Sequence, residues 1–167
     1  RLLVEQAKQT GRKVIYLNVH DVFNVGEFTV NVLWPKRLSE NGENADSIIL
    51  ELSYDADGDG QHDVDALFTG DAESDELDNV IAENNLMSID ILKVGHHGSR
   101  NAMTSEQVEL LNPAVSLIGV GANNRYGHPA AETLAMLEGI GCTVLRSDIE
   151  GGVKLQVESG CAIITKL

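Results

Sequence analysis

The sequence predicts an α/β fold, because strand-like and helix-like segments alternate along the chain. Three short apolar segments have the pattern of buried strands, and each runs into a loop that carries an Asp or a His. The 167 residues, 43% of them hydrophobic, have one domain's length and suffice for a core, so we expect a single domain over residues 1–167. The three predicted strands are 66–69, 89–94 and 114–120.

The remaining elements follow from the same periodicity and from the signals that end helices and strands. A first helix, Leu2–Gln9, is expected to end at Gly11. Residues 36–46 are polar and rich in turn formers, so they are expected to form a surface loop. Further helices are expected over 77–84, 105–111 and 130–137. Further strands are expected over 13–17, 28–33, 47–54, 143–146, 152–157 and 162–165, with 47–54 pairing with 66–69.

The most informative segment is GHHGS (95–99), which follows the second of the three strands. Side chains alternate along a strand, so His96 and His97 would point in opposite directions unless the backbone twisted. Gly95 and Gly98 are expected to allow that twist, because glycine accepts positive φ. The segment therefore suits a metal ion or a phosphate. Two surface histidines in a turn are the alternative interpretation.

The other two strand-end loops contribute an Asp and a further His. The segment TGD (69–71) ends the first strand, and Asp71 is either a ligand or a cap of the acidic helix-like run that begins at Ser74. The third strand leads to His128, just before a proline that can start a helix. Ligands of open α/β sheets bind outside the carboxyl ends of the strands. Asp and His from separate strand ends therefore favour a hydrolytic zinc or manganese centre.

Four motifs together resemble the metallo-β-lactamase fold and, within it, the C-terminal domain of the ComEC family of DNA-uptake competence proteins. The motifs are FTGDAE (68–73), IDILKVGHHGS (89–99), NPAVSLIGVGANNRYGHP (112–129) and SDIEGG (147–152). The resemblance covers about residues 1–157. It implies an αββα sandwich that holds one or two metal ions, Zn or Mn, which activate water against a phosphodiester.

The same resemblance implies roles for individual residues. Asp71 matches the aspartate that bridges the metals, and His128 best matches the last histidine ligand. His96 and His97 match the HHGS pair. One of the two is expected to face the metals or the scissile phosphate, and the resemblance does not say which. His96 is included among the candidate metal ligands. The pair and Ser99 would hold a phosphate oxygen or protonate a leaving group.

One departure from the family is as informative as the match. The HxHxDH signature does not occur among the 167 residues. We therefore expect the C-terminal portion of the sandwich, with the first strands missing, and we expect this piece to be inactive alone, since a catalytic zinc has roughly three protein ligands. The resemblance implies a membrane-embedded parent chain of which this segment is a soluble domain on the extracytoplasmic face. No apolar run approaches the ~20 residues of a membrane helix.

The charge leaves the substrate open. A net charge of −14 argues against general affinity for nucleic acids, because phosphate contacts need cations. Lys93, Arg100 and Arg125 nevertheless flank the strand-end loops, either to bind phosphate or as solvated loop charges. The expected function is hydrolysis of DNA during uptake. The alternatives are hydrolysis of phosphocholine esters or nucleotides, and a non-catalytic, calcium-stabilised binding module.

The predicted hairpin between residues 54 and 66 is unusually acidic. Its aspartates and Gly60 have the spacing of a calcium loop, although Ala66 stands where such loops have a bidentate Glu, and an acidic solvated turn is the alternative. His62 in this hairpin is expected to be exposed, and His20 is a weak candidate for a further metal ligand. Cys142 and Cys161 could pair across a hairpin or be two buried thiols. The candidate calcium ligands are Asp55, Asp57, Asp59, Asp63 and Asp65.

Overall fold

A computed structural model describes residues 2–40, 42–158 and 161–167 and consists of one mixed sheet, five helices and a separate hairpin. The seven strands of the sheet follow one another in chain order. Neighbouring strands pair antiparallel from the first strand to the fourth. They pair parallel from the fourth strand to the seventh. The α/β class is therefore confirmed. The strands are β1 (Val22–Val25), β2 (Phe28–Trp34), β3 (Ile49–Tyr54), β4 (Val64–Phe68), β5 (Ile91–Lys93), β6 (Val115–Ile118) and β7 (Thr143–Arg146).

Helices cover one face of the sheet and enclose the larger core. Leu77 and Val80 of α2, Leu111 of α3 and Leu137 of α4 pack in one cluster with strand residues such as Leu92, and all are at least 99% buried. Burying each of these side chains contributes about 1.5–3 kcal/mol. The helices are α1 (Leu2–Gln9), α2 (Ser74–Asn84), α3 (Ser105–Leu111), α4 (Ala131–Gly139) and α5 (Ser147–Glu150), with 3-10 turns at Asn44–Asp46 and Gly95–Gly98.

The hairpin of β8 (Val153–Glu158) and β9 (Cys161–Lys166) lies against a second, smaller core. Leu155 and Val157 pack there against a cluster centred on Ala66 and Ile91 of the sheet. The parallel strands β4 and β5 thus have an apolar layer on each side, as parallel strands generally require. In the described part of the chain, no helix is both long enough and apolar enough to cross a bilayer.

The predicted strand 13–17 is wrong, and a strand that was not predicted, β1, takes the edge of the sheet. Residues 12–17 have no regular structure, and Ile15 and Tyr16 are exposed. β1 instead pairs with β2 across a two-residue turn at Gly26, whose φ is +63°. Closing so short a loop costs little chain entropy. The local hairpin therefore forms in preference to pairing of the more apolar but more distant segment 13–17. The other predicted elements are present, with ends that shift by at most three residues.

The two cysteines are free, so of the two alternatives the pairing across a hairpin is wrong, and the buried thiol is found for Cys142 alone. Cys142 is buried, and its thiol donates a hydrogen bond to Ser116 Oγ at 3.1 Å. Burial raises the pKa of the Cys142 thiol. Cys161 is exposed, at the start of β9. Because β9 pairs with β8 and not with β7, no strand register brings the two sulfurs together.

Candidate functional site

The site lies at the carboxyl edge of the three parallel strands β4, β5 and β6. Parallel pairing of these strands brings the loops that follow them to one edge of the sheet. Asp71 follows β4, His96 and His97 follow β5, and His128 lies in the long connection between β6 and α4.

His97 presents one ring nitrogen to Asp71. Its Nδ1 lies 2.6 Å from the carbonyl oxygen of Gly119, and because that oxygen can only accept, Nδ1 carries the proton. In the neutral ring Nε2 is then an acceptor, and it lies 3.8 Å from Asp71 Oδ1. Metal-ligating histidines are commonly oriented in this way, by donating their other N–H to a carbonyl. Asp71 and His97 can therefore act on the same ligand.

His96 has different partners from its neighbour. Its Nδ1 lies 2.9 Å from Glu73 Oε1 and 3.4 Å from Asn44 Nδ2. Glu73 is held in place at the start of α2, where its N–H donates to Glu76 Oε2 at 3.0 Å. The His96 ring centroid lies 6.5 Å from that of His97 and 5.6 Å from that of His128. Of the HHGS pair, which the sequence left unresolved, His97 is the one next to Asp71.

The backbone of the HHGS turn is unusual. His96 and His97 have φ of +43° and +55°, a left-handed region that non-glycine residues seldom adopt and that often marks functional sites. The twist expected at both flanking glycines is thus carried by the histidines themselves and by Gly98, whose φ is +76°. Gly95 serves close approach instead, because a Cβ there would lie 2.6 Å from the carbonyl oxygen of Ala72.

His128 is positioned by a loop that Asn124 holds together. Asn124 Oδ1 accepts hydrogen bonds from the N–H groups of Tyr126 and His128, both at 3.1 Å, and Asn124 Nδ2 donates to the His128 carbonyl. The rings of Tyr126 and His128 are nearly parallel, with an interplanar angle of 14° and a centroid distance of 6.1 Å. The sequence pattern did not single out Asn124 or Tyr126, since their role depends on how the loop folds back.

The cations named from the sequence differ in their surroundings. Lys93 is half-buried, and its Nζ donates to the Val94 carbonyl at 2.9 Å. Burial lowers the pKa of the Lys93 ammonium, while the negative charge of Asp71 acts in the opposite direction. Arg100 forms a 2.9 Å ion pair with Glu132 between two exposed side chains, and Arg125 is exposed.

Ser99 is 7% exposed, which limits what its hydroxyl can reach. The hydroxyl accepts a hydrogen bond from the Asn101 N–H at 3.3 Å, and the Ser99 carbonyl accepts one from Thr133. The side chain is thus part of the turn's own hydrogen bonding.

The donors at this edge are of the right kind for zinc or manganese but too few for a complete shell. Carboxylate oxygen and imidazole nitrogen are ligands of both metals. Within 2–40, 42–158 and 161–167, however, Asp71, His96 and His128 do not bring three ligand atoms within 4.8 Å of one another. Asp71 and His97 could therefore supply two ligand atoms to a metal ion at this edge.

Three of the five hairpin aspartates do converge. Asp55, Asp57 and Asp59 each place an oxygen within 4.8 Å of the others. Hydrogen bonds from the N–H groups of Gly60 and Gly58 lower the pKa of the Asp55 carboxyl. The other two aspartates have different partners: Asp63 accepts from Ala56 N–H at 2.6 Å, and Asp65 lies 3.1 Å from the ring of His62.

The two remaining histidines lie away from the strand-end site. His62 is exposed, as expected, within the acidic hairpin. His20 is exposed, and its N–H donates to the Val32 carbonyl beside β2, near the other edge of the sheet.

The chain is similar to two curated proteins. It is 27% identical over 157 residues to ComE operon protein 3 of Bacillus subtilis, which covers 94% of the chain and 19% of that protein. It is 27% identical over 124 residues to Recombination protein 2 of Haemophilus influenzae, which covers 74% of the chain and 15% of that protein. The chain thus spans about a fifth or less of the length of these relatives. No family model matches it.

Proposed function

We propose that this chain is part of a ComEC-type, metal-dependent phosphodiesterase of the metallo-β-lactamase fold that acts on DNA during uptake. The similarity to ComE operon protein 3 and Recombination protein 2 supports the role in DNA uptake. The observation that carries the hydrolytic part is the arrangement of His97. Its Nδ1 is fixed on a backbone carbonyl, and its Nε2 faces Asp71 at a sheet edge suited to ligands.

Each group at the edge has a part in this proposal. Asp71 and His97 would hold the metal, and the family's HxHxDH ligands, from a part of the protein outside these 167 residues, would complete the site. A metal ion held there would supply an acidic water and neutralise charge on the phosphate. Lys93 adds a positive charge next to Asp71. His96, held by Glu73, would bind a phosphate oxygen or protonate the leaving group, and His128 adjoins it.

The rest of the protein and its setting belong to the same proposal. The parent chain is embedded in the cell membrane and carries this domain on the extracytoplasmic face, where incoming DNA arrives. The net charge of −14 keeps phosphocholine esters and nucleotides as alternative substrates, because it disfavours broad contact with a polyanion.

Replacing His97 by Ala tests the metal site directly. In the full-length protein, we expect the His97→Ala variant to retain less than about a tenth of the bound zinc or manganese, because even outer partners of metal ligands change affinity by about 10–100-fold. Metal content after dialysis against both metals is measured by plasma mass spectrometry. His62→Ala is the matched control, since His62 is exposed within the hairpin, and it should retain the wild-type content.

The same measurement has two outcomes that contradict the proposal. A wild-type protein without zinc or manganese would rule out the metal-dependent reaction. Wild-type metal content in His97→Ala would rule out His97 as a ligand. The 167-residue chain alone is expected to bind metal more weakly than the full-length protein, since it lacks the HxHxDH ligands.

A second candidate function, calcium binding by the acidic hairpin, is favoured by the convergence of Asp55, Asp57 and Asp59. The cation would relieve the repulsion of three close carboxylates and stabilise the hairpin. For a dissociation constant of about 0.1 mM, typical of extracellular sites, 10 mM calcium adds about 2.7 kcal/mol to the free energy of unfolding. That corresponds to a rise in Tm of about 5–10 °C.

Calorimetry with and without calcium measures that rise. Asp57→Asn is expected to remove most of it, because it takes one charge from the cluster. The control Asp75→Asn, which changes an acidic residue in the first turn of α2, should keep it. If calcium leaves the Tm of the wild-type protein unchanged, the hairpin is a solvated acidic turn.

A further inference from the structure

Tyr126 is the most exposed of the large hydrophobic side chains in the described ranges, at 85%. One face of its ring stacks on His128, at an interplanar angle of 14°. The rest of the ring faces solvent, although a buried aromatic side chain contributes strongly to stability and to binding. A ring held in this way is available for a second stacking partner.

The loop holds this ring in place before any ligand arrives. Asn124 Oδ1 accepts the N–H groups of both Tyr126 and His128, and the Asn124 N–H donates to the Gly121 carbonyl at 3.0 Å. The two aromatic residues, two positions apart, therefore lie on the same side of the loop. Binding to a preorganised platform avoids the entropy cost of ordering it.

A groove lies beside the platform formed by Tyr126 and His128. It has a volume of about 520 Å³, within the range of small-molecule sites, and is lined by Ser99, Arg100, Asn101, Tyr126, His128 and Glu132. The rings of Tyr126, His128 and His96 form a continuous series, with centroid distances of 6.1 and 5.6 Å. A flat group stacked on Tyr126 would thus lie two rings from His96.

The charges of the groove indicate which interaction would provide the binding affinity for such a ligand. Arg100 is paired with Glu132, so the lining contributes little net positive charge, and the whole chain is strongly acidic. Affinity must then come from stacking more than from phosphate neutralisation. Bases can stack on a protein ring only when they are out of the duplex, as in single strands, and such stacking is a general mode of single-strand binding.

We propose that Tyr126 stacks a nucleobase of a single-stranded nucleic acid and so selects nucleotide phosphodiesters over those that carry no base. This inference rests on the proposed function, because it names the substrate of the proposed phosphodiesterase site. It distinguishes DNA from phosphocholine esters, which have no base to stack.

Binding of a fluorescein-labelled dT octamer to the full-length protein, followed by fluorescence anisotropy, tests the proposal. Tyr126→Ala is expected to weaken binding about tenfold, and Tyr126→Phe to keep most of the affinity because it keeps the ring. Tyr16→Ala is the matched control, since Tyr16 is also exposed but lies outside the groove. An octamer of abasic sites has the same phosphates without bases, and it should bind the wild type as weakly as dT binds Tyr126→Ala.

Three binding results would overturn the inference: no binding of the dT octamer, equal binding of the abasic octamer, or wild-type affinity in Tyr126→Ala. A turnover measurement separates this inference from the proposed function. KM for thymidine 5′-(4-nitrophenyl phosphate) should rise about tenfold more in Tyr126→Ala than KM for methyl 4-nitrophenyl phosphate. Equal changes in the two KM values overturn the stacking role alone. Failure of the wild type to hydrolyse either ester overturns the phosphodiesterase, while the binding result still decides on Tyr126.

Discussion

Replacing Asp71 by Ala in the full-length protein is expected to lower kcat/KM for phosphodiester hydrolysis by at least about 1,000-fold. A metal ion supplies several kcal/mol of transition-state stabilisation, and each 1.36 kcal/mol is a factor of ten in rate. The carboxylate of Asp71 is the acidic group next to His97 Nε2, at 3.8 Å. On the proposed mechanism, its removal would take away both a metal ligand and the negative charge that attracts the cation.

Steady-state kinetics with a 4-nitrophenyl phosphodiester, together with metal content, measure the effect. Asp71→Asn keeps the shape of the side chain but not its charge, and should lose nearly as much activity. Asp75→Ala, four residues along the chain and exposed in the first turn of α2, is the matched control and should stay within about twofold of wild type. Undiminished hydrolysis by Asp71→Ala would refute the metal-dependent reaction at this edge.

Asp71 illustrates what the sequence can predict about such a site. Short apolar runs that end in TGD, HHGS and a Gly-His-Pro place three polar loops after three strands, and the parallel pairing of β4, β5 and β6 then brings those loops together. This step needs only the rule that parallel strands share a carboxyl edge. The motif resemblance suggested the same residues independently.

The sequence could not assign separate roles to His96 and His97. Their difference arises from Glu73 at the start of α2 and from the Gly119 carbonyl after β6, contacts across 23 and 22 residues respectively. It also depends on left-handed φ values that the periodicity of a strand does not predict. Glu73 had one local signal, its position three residues before Glu76 at a helix start, but that signal indicates capping and not a histidine partner.

Edge strands were the weakest part of the prediction for a related reason. The segment 13–17 has a good apolar pattern, yet β1 forms from Val22–Val25 because a two-residue turn joins it to β2. The apolar pattern of a segment indicates how well that segment would fit a sheet. It does not indicate which segment can pair with the partner strand at the lowest cost in chain entropy.

Replacing Gly98 by Ala is expected to damage stability and activity together. Gly98 has φ of +76°, and a Cβ at this position would lie 2.7 Å from Pro129 Cβ and 3.4 Å from Ile118 Cγ2. Left-handed backbone costs an alanine about 1–2 kcal/mol, and overpacking costs a further ~1–3 kcal/mol. We therefore expect the free energy of unfolding to fall by about 2–5 kcal/mol and Tm to fall by about 4–20 °C.

The activity loss follows from what the glycine joins. Its carbonyl accepts the Ala130 N–H at 2.8 Å, which ties the HHGS turn to the segment that carries His128. Relief of the clash must move one loop relative to the other, and a misplacement of about 1 Å costs about 100-fold in rate. Gly121→Ala is the control, because Gly121 lies in the same connection with nothing within 4 Å of its Cβ position and no positive φ.

Calorimetry and kcat/KM of the two variants distinguish strain from a general effect of adding a methyl group. Gly121→Ala should match the wild type in both measurements. If Gly98→Ala keeps wild-type Tm and activity, the loops can separate freely, and the juxtaposition of His96 and His128 has no part in the reaction. If Tm falls but activity at low temperature is unchanged, Gly98 matters for folding alone, and the rings of the two histidines need not be held 5.6 Å apart for turnover.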